Sequence, residues 1–287
     1  MNRLSARWVI PLAVALAPLW IGPNSALAQS QWDVLVHGSG LSYEDSEIRE
    51  GGYVAGVYGT YGTGWKHLVE VGVTQTAIDN LADPDLRQTD LTVAYSRFGT
   101  KASGRLGIHL IESNDPLSDG ALVFFGGASR YEVGVWSAGA EAALSNYSNY
   151  GSGLVVTQLA PSLGLTAYST ESLVIGVTLR GYAIRLSETA GLEGNNYLSG
   201  EAALSVTAGV LTLSGYAWDG EQAFAVRAGG FTAFNLSELH TGGYGGGIRW
   251  VMTSSSALSV GLYVERFEDL ASTNDVRTRI LSASVGF

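Results

Sequence analysis

The stretch RTRILSASVGF, Arg277–Phe287, alternates apolar and small polar residues up to a terminal aromatic residue. The two alternating sets are Leu281, Ala283 and Val285 on one side and Ser282, Ser284 and Gly286 on the other. A period of two places these sets on opposite faces of an extended strand. The stretch therefore predicts a β-strand with one apolar face, and the fold class depends on whether the rest of the chain repeats it.

The same alternation recurs along the chain. Apolar residues take every second position in WKHLVEVGVT (65–74), RLGIHL (105–110), SLVIGVTLRG (172–181), AFAVRA (223–228) and ALSVGLYVE (257–265). The positions between them carry Gly, Ser, Thr and single charged residues. The chain therefore reads as a series of strands, each with an aliphatic face and a polar face.

The first 28 residues have the layout of a secretory signal peptide. Arg3 and Arg7 precede the apolar run Trp8–Gly22, and small residues follow up to Ala28. We expect cleavage after Ala28, because this order of charge, apolar core and small residues marks an export signal. The expected organisation is a signal peptide at 1–28 and a single domain at 29–287.

Composition limits the fold and the partners. The chain has no cysteine, two lysines and a net charge of −10, so we expect neither disulfides nor a nucleic-acid partner. Its 38 glycines in 287 residues are about 13%, against about 7% in ordinary proteins. Charged residues are 15%, against about 25% in soluble domains. An exported chain of this kind is either a soluble sandwich or a barrel whose outer face meets lipid.

Three features favour the membrane barrel. The segments are longer than the five or six residues usual for soluble strands and match the ~9–11 needed to cross a bilayer. Tight connections alternate with longer acidic ones, as periplasmic turns alternate with outer loops. Aromatic residues gather at segment ends, as in interfacial girdles. Those at one end are Trp32, Tyr61, Trp65, Tyr168 and Trp250, and those at the other are Tyr43, Tyr147, Tyr150, Tyr197 and Phe267.

The signal layout, the repeated amphipathic strands and the terminal Phe287 resemble the bacterial outer-membrane β-barrel proteins of Gram-negative organisms. The resemblance implies contact with outer-membrane lipid and lipopolysaccharide. It also implies that the barrel-assembly machinery recognises the last strand, although position 285 is Val where that class often has an aromatic residue.

The strand count is predicted to be fourteen, with twelve or sixteen as alternatives. Fifteen segments alternate, and a barrel with both termini in the periplasm needs an even number. The weakest assignments are 119–127 and the pair that meets at Ala208-Gly209. No connection exceeds about ten residues in this interpretation, so we expect short turns, short outer loops and no inward-folded loop. The segments are 31–42, 50–61, 64–77, 87–99, 103–112, 119–127, 130–146, 152–168, 172–187, 196–207, 210–218, 221–234, 241–252, 256–267 and 275–287.

If the aliphatic face meets lipid, the polar face lines the lumen. The candidate lumen-lining residues are Lys66, Glu70, Arg105, His109, Arg180, Glu201, Arg227 and Arg249. Separated charges among small residues fit a water-filled passage, since an unpaired charge in a dry site is costly. The alternative is a closed lumen in which Arg and Glu pair as a structural network.

The leading functional hypothesis is a porin-like channel that passes small hydrophilic solutes or ions passively. The alternative is a non-conducting structural or partner-binding barrel, such as the sheath of a complex with a periplasmic protein. We do not expect an enzyme, a cofactor or a metal, since cysteine is absent and no two histidines lie close in sequence. A protease or lipase is a distant alternative. Asp83-Pro84-Asp85 and Glu238-Leu239-His240 are weakly similar to the acidic pair and acid–His dyad of omptin proteases.

Overall fold

A computed structural model describes residues 31–63, 66–81, 84–236, 238–269 and 274–287. Fourteen strands form one closed barrel in which each strand pairs antiparallel with its neighbours in chain order. This confirms the predicted all-β, fourteen-stranded barrel. The strands are β1 (Gln31–Glu44), β2 (Arg49–Thr63), β3 (His67–Asn80), β4 (Leu86–Phe98), β5 (Ala102–Ser113), β6 (Leu122–Glu132), β7 (Trp136–Tyr147), β8 (Leu154–Ser169), β9 (Leu173–Leu186), β10 (Asn196–Ala208), β11 (Leu211–Gln222), β14 (Glu238–Thr253), β15 (Ser256–Asp269) and β16 (Asn274–Gly286).

Two further strands, β12 (Val226–Arg227) and β13 (Thr232–Ala233), form a separate hairpin between β11 and β14. The expected signal peptide at 1–28 lies outside the described residues. Among the described residues, no helix is long and apolar enough to cross a membrane.

The stretch Arg277–Phe287 closes the barrel. β16 pairs with β1 from Leu35 opposite Gly286 to Glu44 opposite Arg277. Ser282 and Ser284 on this strand are only 4–5% exposed, whereas Leu281 is 40% exposed. The small polar face therefore points inward and the apolar face outward, which is the reverse of a soluble β-sandwich.

The same inversion holds around the wall. In β5, Leu106, Ile108 and Leu110 are exposed, whereas the alternate residues His109 and Ile111 are buried inside. An outward aliphatic band with an inward polar face is the pattern of a barrel in lipid.

The two ends of the barrel differ in the length of their connections. Six tight connections lie at the end that also holds both ends of the described chain, and we call it the short-turn end. The seven connections at the opposite, long-loop end are all longer than the two-residue turn between β10 and β11, and they include residues 114–121 and 187–195. The predicted alternation of tight and longer connections is confirmed.

One segment predicted as a strand is not in the barrel wall. Residues 221–234 were expected to span the membrane with Phe224 and Val226 facing lipid, but both side chains are buried inside the barrel. The connection between β11 and β14 is fifteen residues, 223–237, and it folds inward. The expectation that no inward-folded loop exists is therefore wrong. We call residues Ala223–Leu236 the inner segment.

Two other assignments shift. The segment 119–127 is a full strand, β6, and the predicted strand 130–146 is divided by a turn between Glu132 and Trp136. Gly134 in this turn has a φ of 73°, which glycine adopts without strain. Glu141 is out of phase with Glu132 because a turn, and not the expected bulge, separates them.

The aromatic residues at the long-loop end are not an interfacial girdle. Tyr147, Tyr150, Tyr197 and Phe267 are at most 5% exposed and point into the barrel. At the short-turn end, Trp32, Tyr168 and Trp250 are 70%, 51% and 47% exposed, as a girdle requires. Tyr197 is in phase with Ser199 and Glu201, and Phe267 is in phase with Glu265, so alternation gives their inward direction. Position at a strand end does not give it.

Candidate functional site: the inner segment and the lumen wall

The inner segment is a short hairpin inside the lumen. Val226 pairs with Ala233 and Arg227 with Thr232. The turn between them, Ala228–Gly230, has positive φ at all three residues. Two of the three are glycines, which adopt this conformation readily. Ala-Gly-Gly is a turn signal in the sequence and was the available indication that 221–234 is not a continuous strand.

Gln158 on β8 holds the backbone of the hairpin. Its side-chain amide donates to Val226 O at 2.6 Å, and its carbonyl oxygen accepts from Val226 N at 2.9 Å. Both groups are buried, so each bond satisfies a donor or acceptor that water does not reach. Gln158 thus fixes one side of the inner segment to the wall.

His109 on β5 holds the tip of the hairpin. Its Nδ1 lies 2.8 Å from Gly230 O, and its Nε2 lies 2.8 Å from Asp90 Oδ1 on β4. Thr92 Oγ1 lies 3.0 Å from the same Nδ1. A sequence-predicted lumen residue therefore contacts the inner segment directly.

The end of the inner segment is held at β4 and β14. Asn235 Nδ2 donates to Gln88 Oε1 at 2.6 Å. The ring of Phe234 stacks on His240 with centroids 3.9 Å apart and an interplanar angle of 12°. These contacts bring the chain from the middle of the lumen back to the wall.

Arg227 projects from the hairpin into a group of acidic and aromatic side chains. Its guanidinium pairs with Glu201 on β10, and Nη1 lies 3.7 Å from Glu265 Oε1 on β15. Arg227 was predicted on a wall strand, but it is carried by the inner segment and reaches the wall from inside. The pKa of Arg227 is raised: burial alone acts to lower it, and Glu265, Tyr182 and Glu201 outweigh that effect.

Arg105 and Glu70 form a second charged contact below the hairpin turn. Arg105 Nη2 lies 3.1 Å from Glu70 Oε2, and Tyr58 donates to the same carboxylate. The ring of Phe231, from the inner segment, packs edge-on against Tyr58 at 5.0 Å and lies 5.4 Å from the Arg105 guanidinium. Through Phe231 the inner segment thus covers this ion pair.

The inward faces nearer the short-turn end remain accessible to water. Arg180 Nη2 lies 3.8 Å from Glu141 Oε1, and the Glu141 side chain is 41% exposed. Ser205 and Arg249 alternate with the outward residues Leu204 and Ile248, so both belong to the inward face. Both are nevertheless exposed, which means that water reaches this part of the lumen. Within the described residues, this half of the lumen is a polar vestibule.

Lys66 differs from the other predicted lumen residues. It lies in the connection between β2 and β3 at the short-turn end and is exposed. The other seven lie on inward faces or on the inner segment. Glu265 also contacts Arg227, and its alternation with Leu262 and Val264 places it on the polar face of the segment 257–265. Gln88, Asp90 and Gln158 contact the inner segment or its partners as well, and polar register is their sole sequence signal.

The long-loop half of the interior contains an apolar cluster besides the buried polar residues Gln88, Asn235 and Glu238. A buried cluster joins Phe224 of the inner segment to Tyr147 and Tyr150, with ring centroids 5.1 and 5.4 Å away. Burial raises the pKa of Tyr150, which lies in the connection after β7, and Asp115 and Glu238 add to the effect. The cluster seals the space between the inner segment and the long loops. Its remaining members include Leu154, Val156, Ile184, Leu186, Leu192 and Tyr197.

The residues with a weak likeness to a protease form ion pairs where the structure describes them. Asp83 lies outside the described residues, and Asp85 pairs with Arg87 at 2.8 Å. Glu238 pairs with Arg49, and His240 Nε2 is 3.6 Å from Glu238. The described residues hold no group of three or more His, Asp or Glu side chains suited to a metal ion.

Comparison with known proteins gives matches in structure only. No protein-family model matches the chain, and no curated protein sequence matches it. Its structure resembles the CymD monoaromatic hydrocarbon channel, with a TM-score of 0.56, 7% identity and coverage of 89% of this chain and 87% of that one. It also resembles a TodX monoaromatic hydrocarbon channel mutant (TM-score 0.53, 12% identity, 96% and 94% coverage). A bacterial polysaccharide outer membrane secretin is similar at a TM-score of 0.53, with 8% identity and 88% and 97% coverage.

These likenesses establish the class of fold. The chain has the fold of a bacterial outer-membrane β-barrel protein, and the similar structures include outer-membrane channels.

Proposed function

We propose that this protein is an outer-membrane channel for small hydrophilic solutes or ions, and that the inner segment closes its passage. The supporting observation is that polar contacts attach the inner segment to several strands. These contacts are the hydrogen bonds of Gln158, His109 and Gln88 and the ion pairs of Arg227. Polar contacts of this kind exchange with water at low net cost. The apolar packing of Phe224 in the buried cluster also holds the segment, and it is lost only if that residue moves as well.

In this proposal, water and solutes occupy the vestibule at the short-turn end, which faces the periplasm. The inner segment and the apolar cluster block further passage toward the long-loop end, which faces outside. Displacing the hairpin from the wall joins the two sides through a lumen that carries Glu70, Arg105, Arg180 and Glu201. Charges of both signs along such a path set ion preference without a dedicated filter.

The test is planar-bilayer recording of the refolded full chain and of a variant in which 225–234 is replaced by a short Gly-Ser linker. We expect small or infrequent openings from the parent and a stable, larger conductance from the variant. Heat-modifiable migration on gels checks that both proteins are folded. A folded variant without any discrete conductance would overturn the channel proposal.

The alternative is a non-conducting barrel that serves a structural role or binds a periplasmic partner. The buried apolar cluster favours it, because a sealed interior needs no passage. It predicts no conductance from either protein and co-purification of a periplasmic protein with the parent. Both proposals include contacts with lipopolysaccharide. Both also include recognition of the last strand by the assembly machinery.

A further inference from the structure

The surroundings of Arg227 have the composition of a binding site for an organic cation. We propose that the wall residues Tyr182, Glu201, Tyr216, Trp218 and Glu265 form a site for solutes that carry a guanidinium or primary ammonium group. In this structure the side chain of Arg227 occupies that site. The inference rests on the proposed channel function and names its solute class.

Aromatic rings surround the guanidinium. Its central carbon lies 5.2 Å from the ring of Trp218, 5.8 Å from Tyr182 and 6.0 Å from Tyr216. A cation within about 6 Å of a ring centroid is attracted by the ring quadrupole, most strongly by Trp. These three rings belong to the wall strands β9 and β11, so they stay when the inner segment moves. A fourth ring, Phe234 at 5.8 Å, belongs to the inner segment and leaves with it.

The Glu265 carboxylate is held independently of Arg227. Tyr216 donates to Oε1 at 2.9 Å, and Trp218 Nε1 donates to Oε2 at 2.9 Å. Both donors belong to the wall, so the carboxylate keeps its orientation when the arginine is absent. The site is therefore preorganised, and little ordering is needed when a free cation binds.

The charge balance favours cations. Glu141, Glu201 and Glu265 face Arg180 and Arg227, which leaves one negative charge in excess while Arg227 is bound. Removal of Arg227 leaves two in excess, because Glu201 and Glu265 lose their ion-pair partner, and an uncompensated charge in a buried site is unfavourable. A cation that enters as Arg227 leaves removes this penalty, whereas an anion increases it.

In this proposal, a free solute approaches the site from the vestibule. The exposed Glu141 is paired with Arg180, and Arg180 lies directly opposite Glu201 in the pairing of β9 with β10. A cation in the vestibule thus meets Glu141 first and Glu201 next. By displacing Arg227, it removes one attachment of the inner segment, so that binding of the solute weakens the closure of the passage.

The experiment is to look for binding of a guanidinium compound to Arg227→Ala. The detergent-solubilised full chain is titrated with methylguanidinium, and Trp218 fluorescence is isolated by comparison with Arg227→Ala/Trp218→Phe. We expect a saturable change with methylguanidinium and none with the neutral analogue methylurea. Arg227→Ala/Glu265→Gln should bind at least about tenfold more weakly, because one buried partner charge is lost.

Matched controls separate this site from other arginines and from misfolding. Arg266→Ala removes an arginine paired with Asp219 on the outer wall and should give no methylguanidinium response. Arg227→Lys keeps a cation in place, so it should also give a much smaller response. Heat-modifiable migration checks the fold of each variant. The proposal is overturned if folded Arg227→Ala gives no saturable change, or if Glu265→Gln does not weaken it.

Bilayer recording then distinguishes this inference from the channel proposal. With the parent chain, millimolar methylguanidinium should raise the open fraction, because it displaces Arg227, and methylurea should not. Binding without any conductance would retain the cation site and reject the channel. Conductance without binding would retain the channel and reject the cation site.

Discussion

At the scale of single residues, the contacts that hold the inner segment come from side chains far apart in sequence. His109 stands alone in the sequence, yet it meets Asp90 and a backbone carbonyl 121 residues away. The inward direction of its side chain follows from the alternation of β5. The identity of its hydrogen-bond partners does not follow from that alternation.

Replacing His109 with Leu tests the importance of these contacts. The change removes the imidazole from Gly230 O and from Asp90, although Asp90 keeps the Gln88 amide at 3.0 Å. We therefore expect the free energy of unfolding to fall by about 1–3 kcal/mol. The measurement is urea unfolding in lipid vesicles, followed by tryptophan fluorescence.

His67→Leu is the matched control for this change. His67 bonds to Tyr95 at 2.7 Å in an exposed position, so its loss should cost no more than about 1 kcal/mol. Equal losses of unfolding free energy for the two substitutions would show that the buried contacts of His109 stabilise the barrel no more than the exposed contact of His67.

At the scale of elements, the glycines of β14 allow close packing inside the wall. A Cβ on Gly245 would lie 2.8 Å from Leu262 O and 2.8 Å from the Tyr263 ring on β15. These glycines lie in the predicted strand 241–252, which is confirmed as part of β14. The tight fit of Tyr263 over Gly245 is a property of the neighbouring strand, which the local sequence does not contain.

Gly245→Ala should therefore destabilise the barrel. We expect a loss of about 1–3 kcal/mol, because the added methyl group overpacks a site bounded by backbone and ring atoms. The folded fraction after refolding is measured by heat-modifiable migration. Gly200→Ala on β10 is the control, since its Cβ would meet no atom within 4 Å. If Gly200→Ala reduced folding as much as Gly245→Ala, the effect would come from strand propensity and not from packing.

At the scale of the whole molecule, the barrel turns its apolar surface outward and closes its interior with one connection. Val36, Val57 and Val73 are directly paired on neighbouring strands and are 44–48% exposed. Such a band is stable only against lipid. The interior has a polar vestibule at the short-turn end and a buried apolar cluster toward the long-loop end, and the inner segment contacts both.

Val57→Arg tests the position of the lipid band. Val57 lies near the middle of β2, where an arginine facing the bilayer midplane should cost about 2–4 kcal/mol. Val210→Arg, in the turn between β10 and β11, should cost about 0–1 kcal/mol, because that depth is near the interface. Both values come from urea unfolding in vesicles. A larger loss at Val210 than at Val57 would contradict the proposed membrane depth.

The sequence by itself determined the strands, their inward and outward faces and the closed barrel. Alternation with period two is a local property of the sequence. It is therefore enough to show that the side chains of Leu106 and Ile108 point outward and that of His109 points inward. Only the tertiary structure decided that Phe224 and Val226 lie inside the lumen and that Tyr147 and Tyr197 form a core and not a girdle. The physical reason is that a short alternating segment reads the same in a wall strand and in a hairpin packed against the wall. Its place depends on Gln88, His109, Gln158 and Glu265, and those partners come together only when the barrel closes.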